Sequence, residues 1–530
     1  MWITFVNDRN KDVVKTLDKI VVVWNVVDMA AWTLTGSIIG LECHPVEVET
    51  DISSGLGSFI IVGLPDVAVQ EAKERVRSAI KHADMSFPRT RVTVNLAPAD
   101  LRKSGTPFDL PIALAILAAQ GDIPATSSVT RLLAGELGLS GELRPIHGAL
   151  SFALLAKKLG VVELIVPTMN ASEAALVSGI IIRAATTLRE VIDHMRSISM
   201  LPEISTRPFV QRVSCPSPYD FSAIRGQYQA KRALEVAAAG GHNILLQGPP
   251  GSGKTLLAKS FPTILPSLTP DEAIEITRVH SIAGTLAHDG IITERPFRAP
   301  HHSASAVSLI GGGTHPKPGE ISLAHRGTLF LDEFPEFSRA VIEALRQPLE
   351  DGTVTVSRAH GTVSFPARFT LIAAMNPCGC GFATDPERTC ICSPAQRLRY
   401  QKRLSGPLLD RMDIFIEVPR VKTDDLFQSQ LGEASDDIRC RVEAARQKQQ
   451  ERFADQLIHT NAEMMSDHVR KSVVLDDEGR ALLRQAVERL RLSARGYFRI
   501  LRVARTIADL EGGQDVRSMH IAEAIQLRNL

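Results

Sequence analysis

The stretch that decides the fold of the central part of this chain runs His242-Asn243-Ile244-Leu245-Leu246-Gln247, then Gly248-Pro249-Pro250-Gly251-Ser252-Gly253-Lys254-Thr255, then Leu256-Leu257-Ala258-Lys259. The first six residues predict a short apolar strand, and the last four continue as a helix. The middle eight match G-x-x-x-x-G-K-[ST] in the strand–loop–helix context that a phosphate-binding loop requires. Glycines let the backbone turn its N–H groups toward phosphate, and the helix N-terminus adds a favourable dipole. The sequence therefore predicts a nucleotide site.

Two carboxylates downstream supply what such a site needs. Lys254 is predicted to bind the β- and γ-phosphates, and the Thr255 hydroxyl to ligate Mg²⁺. The run Gly327-Thr328-Leu329-Phe330-Leu331 predicts an apolar strand that ends in Asp332 and Glu333. Asp332 suits the Mg²⁺ shell and Glu333 suits a base that polarises the attacking water. An Asp-Glu pair at a helix N-cap is the competing interpretation, which the upstream phosphate loop disfavours. We therefore expect ATP hydrolysis with ATP and Mg²⁺ as cofactors.

Two further residues follow in an order that fits this chemistry. A β-rich run over 368–375 ends at Asn376, an amide able to orient water near the γ-phosphate. Arg411 precedes the apolar run Ile414-Phe415-Ile416, where it is placed to stabilise transition-state charge on the nucleotide of a neighbouring subunit. Either residue alone is more often structural, and only the order of the elements makes them candidates.

Composition narrows the class of protein. The chain has 530 residues, with 60 Lys+Arg against 59 Asp+Glu and a net charge of +1, so no overall basic excess indicates nucleic acid. Its 44% apolar and 22% charged residues are typical of a globular protein of three or four domains. The apolar run 20–32 is interrupted by Asn25 and Asp28, so neither a membrane span nor a signal peptide is predicted. Seven cysteines favour a reducing cytoplasm over a disulfide framework.

The chain divides into segments of different character. Residues 1–34 read as an atypical N-terminal extension, and 35–199 as an α/β unit with strands near 59–62 and 91–96 and helices near 69–82 and 111–120. Residues 200–219 hold four prolines and read as a linker. Residues 220–420 carry the phosphate loop, and 421–530 are charged and helical, most clearly over 480–510.

Four cysteines crowd into one loop. Cys378 and Cys380 form one C-x-C pair, and Cys390 and Cys392 form another. Four thiolates are able to close a tetrahedral zinc site, although C-x₂-C is the commoner spacing. Reduced thiols packed in a loop remain the alternative.

A β-hairpin is predicted just before the Asn376 strand. The runs 352–357 and 362–365 alternate apolar and polar residues around Arg358-Ala359-His360-Gly361. In a ring, such a hairpin would enter the pore and bring Arg358 and His360 to DNA phosphates regardless of base sequence. A solvated turn is the equally acceptable interpretation.

Taken together, these elements resemble the ComM/YifB family of magnesium-chelatase-like AAA+ ATPases. The resemblance covers the chain from about Thr35 onward. It rests on the phosphate loop and on six further motifs: Arg298-Ala299-Pro300-His301-His302-Ser303, residues 318–327, Ala374-Met375-Asn376-Pro377-Cys378, residues 405–411, and two N-terminal stretches over 61–65 and 94–100.

The resemblance implies an α/β multi-domain fold. Its parts are a Lon-protease-like (ribosomal S5 domain 2-like) N-terminal domain, a P-loop AAA+ core with a magnesium-chelatase-type ATPase, and a helical magnesium-chelatase C-terminal lid. It implies a homo-hexamer and a branch-migration helicase that acts on single-stranded or branched DNA in recombination and natural transformation. By position Arg411 resembles the arginine finger, and Arg495 the lid arginine that senses nucleotide, with Arg502 a weaker candidate.

Three other functions are alternatives to this interpretation. Proteolysis is not expected, because the segments resembling the Lon nucleophile and lysine regions, 105–111 and 145–150, contain neither serine nor lysine. A magnesium-chelatase motor subunit is the alternative within the same enzyme class, disfavoured by the N-terminal domain. A protein-remodelling or adaptor ATPase without a DNA role is the alternative of a different class.

Overall fold

The computed structural model describes residues 31–124, 130–205, 218–286, 290–313, 316–358, 361–385, 387–404, 406–421, 432–456, 458–490 and 492–528. Most of the predicted extension, most of the predicted linker and His360 of the hairpin lie outside these described residues. Within them, no helix combines the length and the apolar character needed to cross a bilayer.

The N-terminal part is built on one mixed sheet. Its strands in chain order are β1 Ala31–Ile39, β2 Glu42–Ser53, β3 Ser58–Val62, β4 Arg91–Ala97, β5 Arg131–Leu133, β8 Glu163–Pro167, β9 Ile181–Ala185 and β10 Glu203–Ile204, with the short pair β6 Glu136–Leu137 and β7 Leu143–Arg144 beside it. The order across the sheet is β10-β9-β8-β5-β1-β2-β4-β3. The helices are α1 Val67–His82, α2 Asp109–Ala119, α3 Ala149–Leu159, α4 Thr168–Ala174 and α5 Leu188–Met195.

The predicted elements of this part form where the periodicity places them. Helix α1 buries Val69, Ala72 and Val76 on one side, as its apolar spacing predicts, and Asp66 caps its first turn. Helix α2 is apolar on all sides because it is buried on all sides. The boundary of the extension needs correction, since residues 31–34 already lie in β1 and pair with β2.

A buried carboxylate ties three strands of this sheet together. Glu163 on β8 receives hydrogen bonds from Arg131, from Arg183 at 3.1 Å and from the His194 Nε2 atom at 3.1 Å. Burial alone raises the pKa of Glu163, but the hydrogen bonds from His194 and the two arginines outweigh it and lower that pKa to about 2. The ionised form therefore stabilises the folded state.

Replacing this carboxylate with an amide is expected to destabilise the N-terminal part. Glu163→Gln should lower the free energy of unfolding at pH 7 by on the order of 3 kcal/mol, from the difference between a usual pKa of 4.5 and about 2. Because the folded-state pKa is the lower one, this deficit is complete above about pH 4.5 and shrinks as the pH falls toward 2. Urea denaturation at several pH values measures it.

The surface pair Glu142–Arg144 provides a matched control, since both side chains are about half exposed. Glu142→Gln should change stability by less than about 1 kcal/mol at any of these pH values. A Glu163→Gln deficit that stays constant down to pH 3 would show that the carboxylate's charge is not what stabilises the fold.

The central part is a parallel sheet with helices on both faces. Its strands are β11 Ile244–Gln247, β12 Phe297–Arg298, β15 Thr328–Leu331, β18 Thr370–Met375 and β19 Ile414–Glu417, in the order β12-β15-β18-β11-β19. Short antiparallel pairs join β13 Gly311–Gly312 to β14 Lys317–Pro318, and β16 Thr353–Arg358 to β17 Gly361–Pro366. The helices are α6 Tyr228–Gly240, α7 Lys254–Ser260, α8 Pro270–Ala283, α9 Ala306–Ile310, α10 Glu320–Leu323, α11 Arg339–Ala344, α12 Arg346–Asp351, α13 Pro394–Gln401 and α14 Gly406–Leu409.

Burial on both faces explains why these strands read as continuous apolar runs. Along β11, Ile244 and Leu246 face one hydrophobic core, while Leu245 faces the other. The predicted strands before the phosphate loop, before Asp332 and before Asn376 are all confirmed.

The C-terminal part is helical. Its helices are α15 Ser435–Arg452, α16 Ser466–Ser472, α17 Asp477–Leu490, α18 Ala494–Leu510 and α19 Ser518–Gln526. The helical character predicted over 480–510 is confirmed, with a break between α17 and α18. Helices α15 and α18 pack on α6 and share the core of one face of the parallel sheet.

Helix α8 joins the N-terminal and central parts. The Ser281 hydroxyl donates a 2.5 Å hydrogen bond to the Glu173 carboxyl and accepts one from the Gly148 backbone at 2.9 Å. Arg278 donates to the Leu41 carbonyl at 2.9 Å. These hydrogen bonds join the central part to the N-terminal part through this helix.

Candidate nucleotide site

The loop between β11 and α7 has the conformation that its glycines allow. Gly251 and Gly253 have φ values of +78° and +93°, in the left-handed region that side chains disfavour. A Cβ atom at Gly248 would lie 2.1 Å from the Val418 carbonyl oxygen, so only glycine fits there. A Cβ atom at Gly251 or Gly253 would meet nothing within 4 Å, so positive φ and not lack of space is what favours glycine at these two positions.

Lys254 points into this loop. Its ammonium donates hydrogen bonds to the Gly248 and Pro249 carbonyls at 2.8 and 2.9 Å, and to the Asn376 Oδ1 atom at 3.3 Å. Burial lowers the pKa of Lys254, and the nearby charge of Asp332 opposes that shift. A bound phosphate would add further negative charge beside the ammonium and favour its charged form.

The donor set for magnesium is assembled at the same end of the sheet. The Thr255 hydroxyl donates a hydrogen bond to the Asp332 Oδ2 atom across 2.8 Å. Adjacent ligands of an octahedral Mg²⁺ ion lie about 3 Å apart, because each metal–oxygen distance is about 2.1 Å. The two oxygens therefore fit neighbouring positions on one ion, which when bound to ATP supplies positive charge to the phosphates.

Glu333 adopts an unusual backbone conformation. Its φ of +50° is rare for a residue with a side chain, and such strain is concentrated at functional sites. The Asp332 carboxyl accepts a 2.9 Å hydrogen bond from the Glu333 backbone N–H. The Glu333 carboxyl also lies 3.2 Å from the His302 Nδ1 atom. His302 belongs to the motif over 298–303, and nothing in the spacing of that motif signals its contact with Glu333.

Asn376 reaches the loop because of the strand order. Strand β18 lies between β11 and β15, with Gln247 opposite Met375. Parallel strands end at the same edge, so Asn376 arrives beside Lys254 while Asp332 arrives from the other neighbour. The structure thus brings together Lys254, Thr255, Asp332, Glu333 and Asn376.

The three candidate arginines lie at the opposite edge of the sheet. Arg411 follows α14 and precedes β19, so it is placed at the amino ends of the strands. It forms an ion pair with Glu350, and Arg495 reaches the same carboxylate at 3.3 Å. Arg502 is largely buried and donates to the Ala462 carbonyl at 3.1 Å. Four strand residues span about 13 Å, so these arginines are remote from the phosphate loop of their own chain.

A cleft of about 520 Å³ opens at that edge, with Glu350, Arg495, Arg499 and Arg502 among its lining residues. Arg499 pairs with the buried Asp413 at the start of β19 and so docks helix α18 there. Burial raises the pKa of Asp413, but Arg499 and His242 outweigh it and hold that pKa well below its usual range. The cleft therefore contains the buried Arg499–Asp413 ion pair and the guanidinium of Arg495, which is more exposed than that of Arg499.

Two further groups of predicted residues are placed as follows. The four cysteine Sγ atoms at 378, 380, 390 and 392 lie within 4.8 Å of one another. The predicted hairpin forms as β16 and β17, with Arg358 opposite Gly361 and with Val354 and Phe365 buried against the central part.

Comparisons with known proteins agree with this architecture. Residues 220–426 match the family model described as magnesium chelatase, subunit ChlI. Residues 48–170 match subunit ChlI of Mg-chelatase, and residues 432–528 match the ChlI C-terminal model.

Individual relatives extend over most of the chain. Competence protein ComM of Haemophilus influenzae is 46% identical over 494 residues, which cover 92% of this chain and 96% of that protein. YifB of Escherichia coli is 42% identical over 495 residues, with 93% and 96% covered. The magnesium-chelatase 38 kDa subunit of Cereibacter sphaeroides is 24% identical over 339 residues, covering 57% of this chain and 89% of that subunit. The chain belongs to the ComM/YifB family of magnesium-chelatase-like AAA+ proteins, a relationship that implies an ATPase using ATP and Mg²⁺.

Proposed function

We propose that this protein is a ring-forming Mg-ATP motor that acts on DNA, and that its task is branch migration of recombination intermediates during natural transformation. The observation that carries the proposal is the 2.8 Å contact between Thr255 and Asp332 beside the buried ammonium of Lys254. That arrangement supports Mg-ATP binding at the carboxyl edge of the central sheet.

Each residue of the carboxyl edge has a separate part in hydrolysis. Lys254 binds the β- and γ-phosphates, while Thr255 and Asp332 hold the magnesium that neutralises them. Glu333 takes a proton from the attacking water, and Asn376 orients that water from the neighbouring strand. The amide of Asn376 already lies 3.3 Å from the Lys254 ammonium, which supports this placement.

The opposite edge supports a ring. Arg411 and Arg495 share Glu350 at the amino ends of the strands, where no phosphate loop of the same chain lies. In a head-to-tail ring, one subunit's amino edge faces the next subunit's carboxyl edge. We infer a homo-hexamer in which Arg411 stabilises transition-state charge on the neighbour's ATP and Arg495 senses that nucleotide, with Arg502 as a weaker second candidate.

The DNA role rests on the relatives and on the hairpin. The protein named ComM is a competence protein, and it matches 92% of this chain, whereas the chelatase subunit matches 57%. Buried Val354 and Phe365 hold the base of the β16–β17 hairpin on the central part. We infer that Arg358 and His360, near its turn, contact DNA phosphates in the pore. We propose that the protein acts in the cytoplasm.

The flanking parts complete the proposal. We infer that 35–199 is a Lon-protease-like domain of the ribosomal S5 domain 2-like type, which lacks the catalytic dyad and serves subunit or DNA contacts. We infer that 220–420 is the AAA+ core and that 421–530 is the magnesium-chelatase-type lid. The docking of α18 at the start of β19 through Arg499 and Asp413 supports a lid that senses the nucleotide.

DNA is expected to stimulate ATP turnover. Phosphate release should rise several-fold with forked or single-stranded DNA, and Arg358→Ala should abolish that rise while leaving DNA-free hydrolysis unchanged. The salt slope of DNA binding should also fall, by about 1 for each Arg358–phosphate contact that the ring loses. Phosphate release and fluorescence anisotropy at several salt concentrations measure both effects.

Arg470 provides the matched control, because its side chain is 73% exposed and pairs only weakly with Asp467. Arg470→Ala should respond to DNA like the wild type. Hydrolysis that ignores every form of DNA would overturn the DNA role and favour chelatase-type or protein-remodelling activity, while leaving the ATPase in place.

A further inference from the structure

Four thiols face one point in the loop that leads from β18 to α13. The Cys378 Sγ atom lies 3.3 Å from that of Cys380 and 3.6 Å from that of Cys390, and the Cys380 and Cys390 atoms lie 3.5 Å apart. The Cys392 sulfur lies within 4.8 Å of the others. A disulfide requires about 2.05 Å between its sulfurs, so the four thiols are free.

These separations fit a tetrahedral metal site. Zinc–sulfur bonds of about 2.3 Å place the sulfurs of a tetrahedral Cys₄ site about 3.8 Å apart. The measured values of 3.3–3.6 Å are close to that edge length, and small shifts of the side chains reach it. Four thiolates with no oxygen or nitrogen donor select zinc among the common divalent ions.

The segment between the two cysteine pairs has its own supports. The Asp385 side chain is fully buried and lies 2.9 Å from the Arg420 guanidinium at the end of β19. The Asp385 carboxyl also accepts hydrogen bonds from the backbone N–H groups of Glu387 and Arg388, at 2.9 and 3.2 Å. A segment anchored in this way presents Cys390 and Cys392 to the first pair at little entropic cost.

The same loop touches the phosphate loop. Gly381 has a φ of +87°, and a Cβ atom there would lie 2.7 Å from the Pro250 ring and 3.9 Å from the Asn376 Cγ atom. The Gly381 N–H closes a turn onto the Cys378 carbonyl at 3.0 Å. The backbone between the two cysteine pairs therefore packs closely on Pro250 and passes near Asn376.

We propose that Cys378, Cys380, Cys390 and Cys392 bind one structural zinc ion, and that this ion fixes the loop supporting Asn376 and the phosphate loop. The second half rests on the proposed ATP site. On binding, zinc displaces the four thiol protons. The four thiolates then fill its coordination sphere, so no open position remains on the ion and it takes no part in hydrolysis. Its effect on hydrolysis is positional, through the packing of Gly381 on Pro250 and its proximity to Asn376.

Metal analysis of the full-length protein, purified without added metal, tests the site itself. Elemental mass spectrometry should find about one zinc ion per chain. The double variant Cys390→Ser, Cys392→Ser should contain none. Cys440, an exposed thiol on α15, provides the control, since Cys440→Ser should keep both zinc and activity. Wild-type protein without zinc, or with iron in its place, would overturn the assignment.

Hydrolysis by the same variants tests the coupling. The double variant should lose about tenfold or more in kcat, because a small displacement of positioning groups is costly, while a fluorescent ATP analogue still binds within a few-fold of wild type. If the wild type contains zinc but the double variant keeps the wild-type kcat, the metal site stands and the proposed coupling to hydrolysis is wrong. If the wild type hydrolyses no ATP at all, the proposed function fails, yet the zinc content still decides the metal site.

Discussion

Glu333→Gln is expected to lower kcat for ATP hydrolysis by about 100-fold or more while ATP still binds. The substitution removes the carboxylate that accepts a proton from the attacking water, and general-base catalysis contributes about 10²–10⁴ in rate. Shape and hydrogen bonding are retained, and Lys254, Thr255 and Asp332 remain in place to bind Mg-ATP. Phosphate release and the binding of a fluorescent ATP analogue measure the two effects separately.

Glu336 supplies the matched control for this experiment. It lies three residues further along and forms an exposed ion pair with Arg403 at 2.5 Å. Glu336→Gln should keep kcat within about twofold, because exposed ion pairs contribute little. A Glu333→Gln variant whose kcat stays within threefold of wild type would show that another group activates the water.

Arg411→Ala is expected to reduce kcat by about 10³, the lower end of the range for an arginine that acts on a neighbour's nucleotide. ATP binding should change little, because Arg411 lies at the sheet edge opposite its own phosphate loop. Arg411→Lys should also be slow, since lysine lacks the planar guanidinium fork. Single-turnover hydrolysis with saturating ATP measures the loss.

Arg411 requires a check on folding, because its side chain is only 7% exposed and pairs with Glu350, so its removal leaves unfilled space and breaks that pair. Circular dichroism and the mass of the assembled ring provide that check. Arg484→Ala, at a side chain 83% exposed on α17, should leave hydrolysis unchanged. Normal kcat in a folded Arg411→Ala ring would exclude Arg411 from the reaction.

Local features of the nucleotide site could be predicted from the sequence. The phosphate loop, its preceding strand and its following helix depend on residues adjacent in the chain, so pattern alone locates them. The Thr255–Asp332 contact follows from two such patterns on parallel strands. Helix α1 and the β16–β17 hairpin were also predictable, because their apolar spacing is regular.

Contacts set by the tertiary fold could not be predicted in this way. The position of His302 beside Glu333 depends on a loop returning from β12, and no spacing encodes it. The packing of Gly381 on Pro250 brings together residues more than 100 positions apart. Residues 31–34, which the sequence assigns to the extension, pair with β2 in the sheet, and local spacing does not encode that pairing.

Mixing two inactive variants tests most directly whether each ATP site is built from two copies of the chain. Lys254→Ala lacks its own phosphate-binding ammonium but still offers Arg411, and Arg411→Ala has the reverse defect. In rings formed from an equal mixture, about a quarter of the interfaces join an intact Lys254 to an intact Arg411. We expect hydrolysis to return toward about a quarter of the wild-type rate, far above either variant alone. A mixed ring as inactive as its two components would contradict a nucleotide shared between neighbouring subunits.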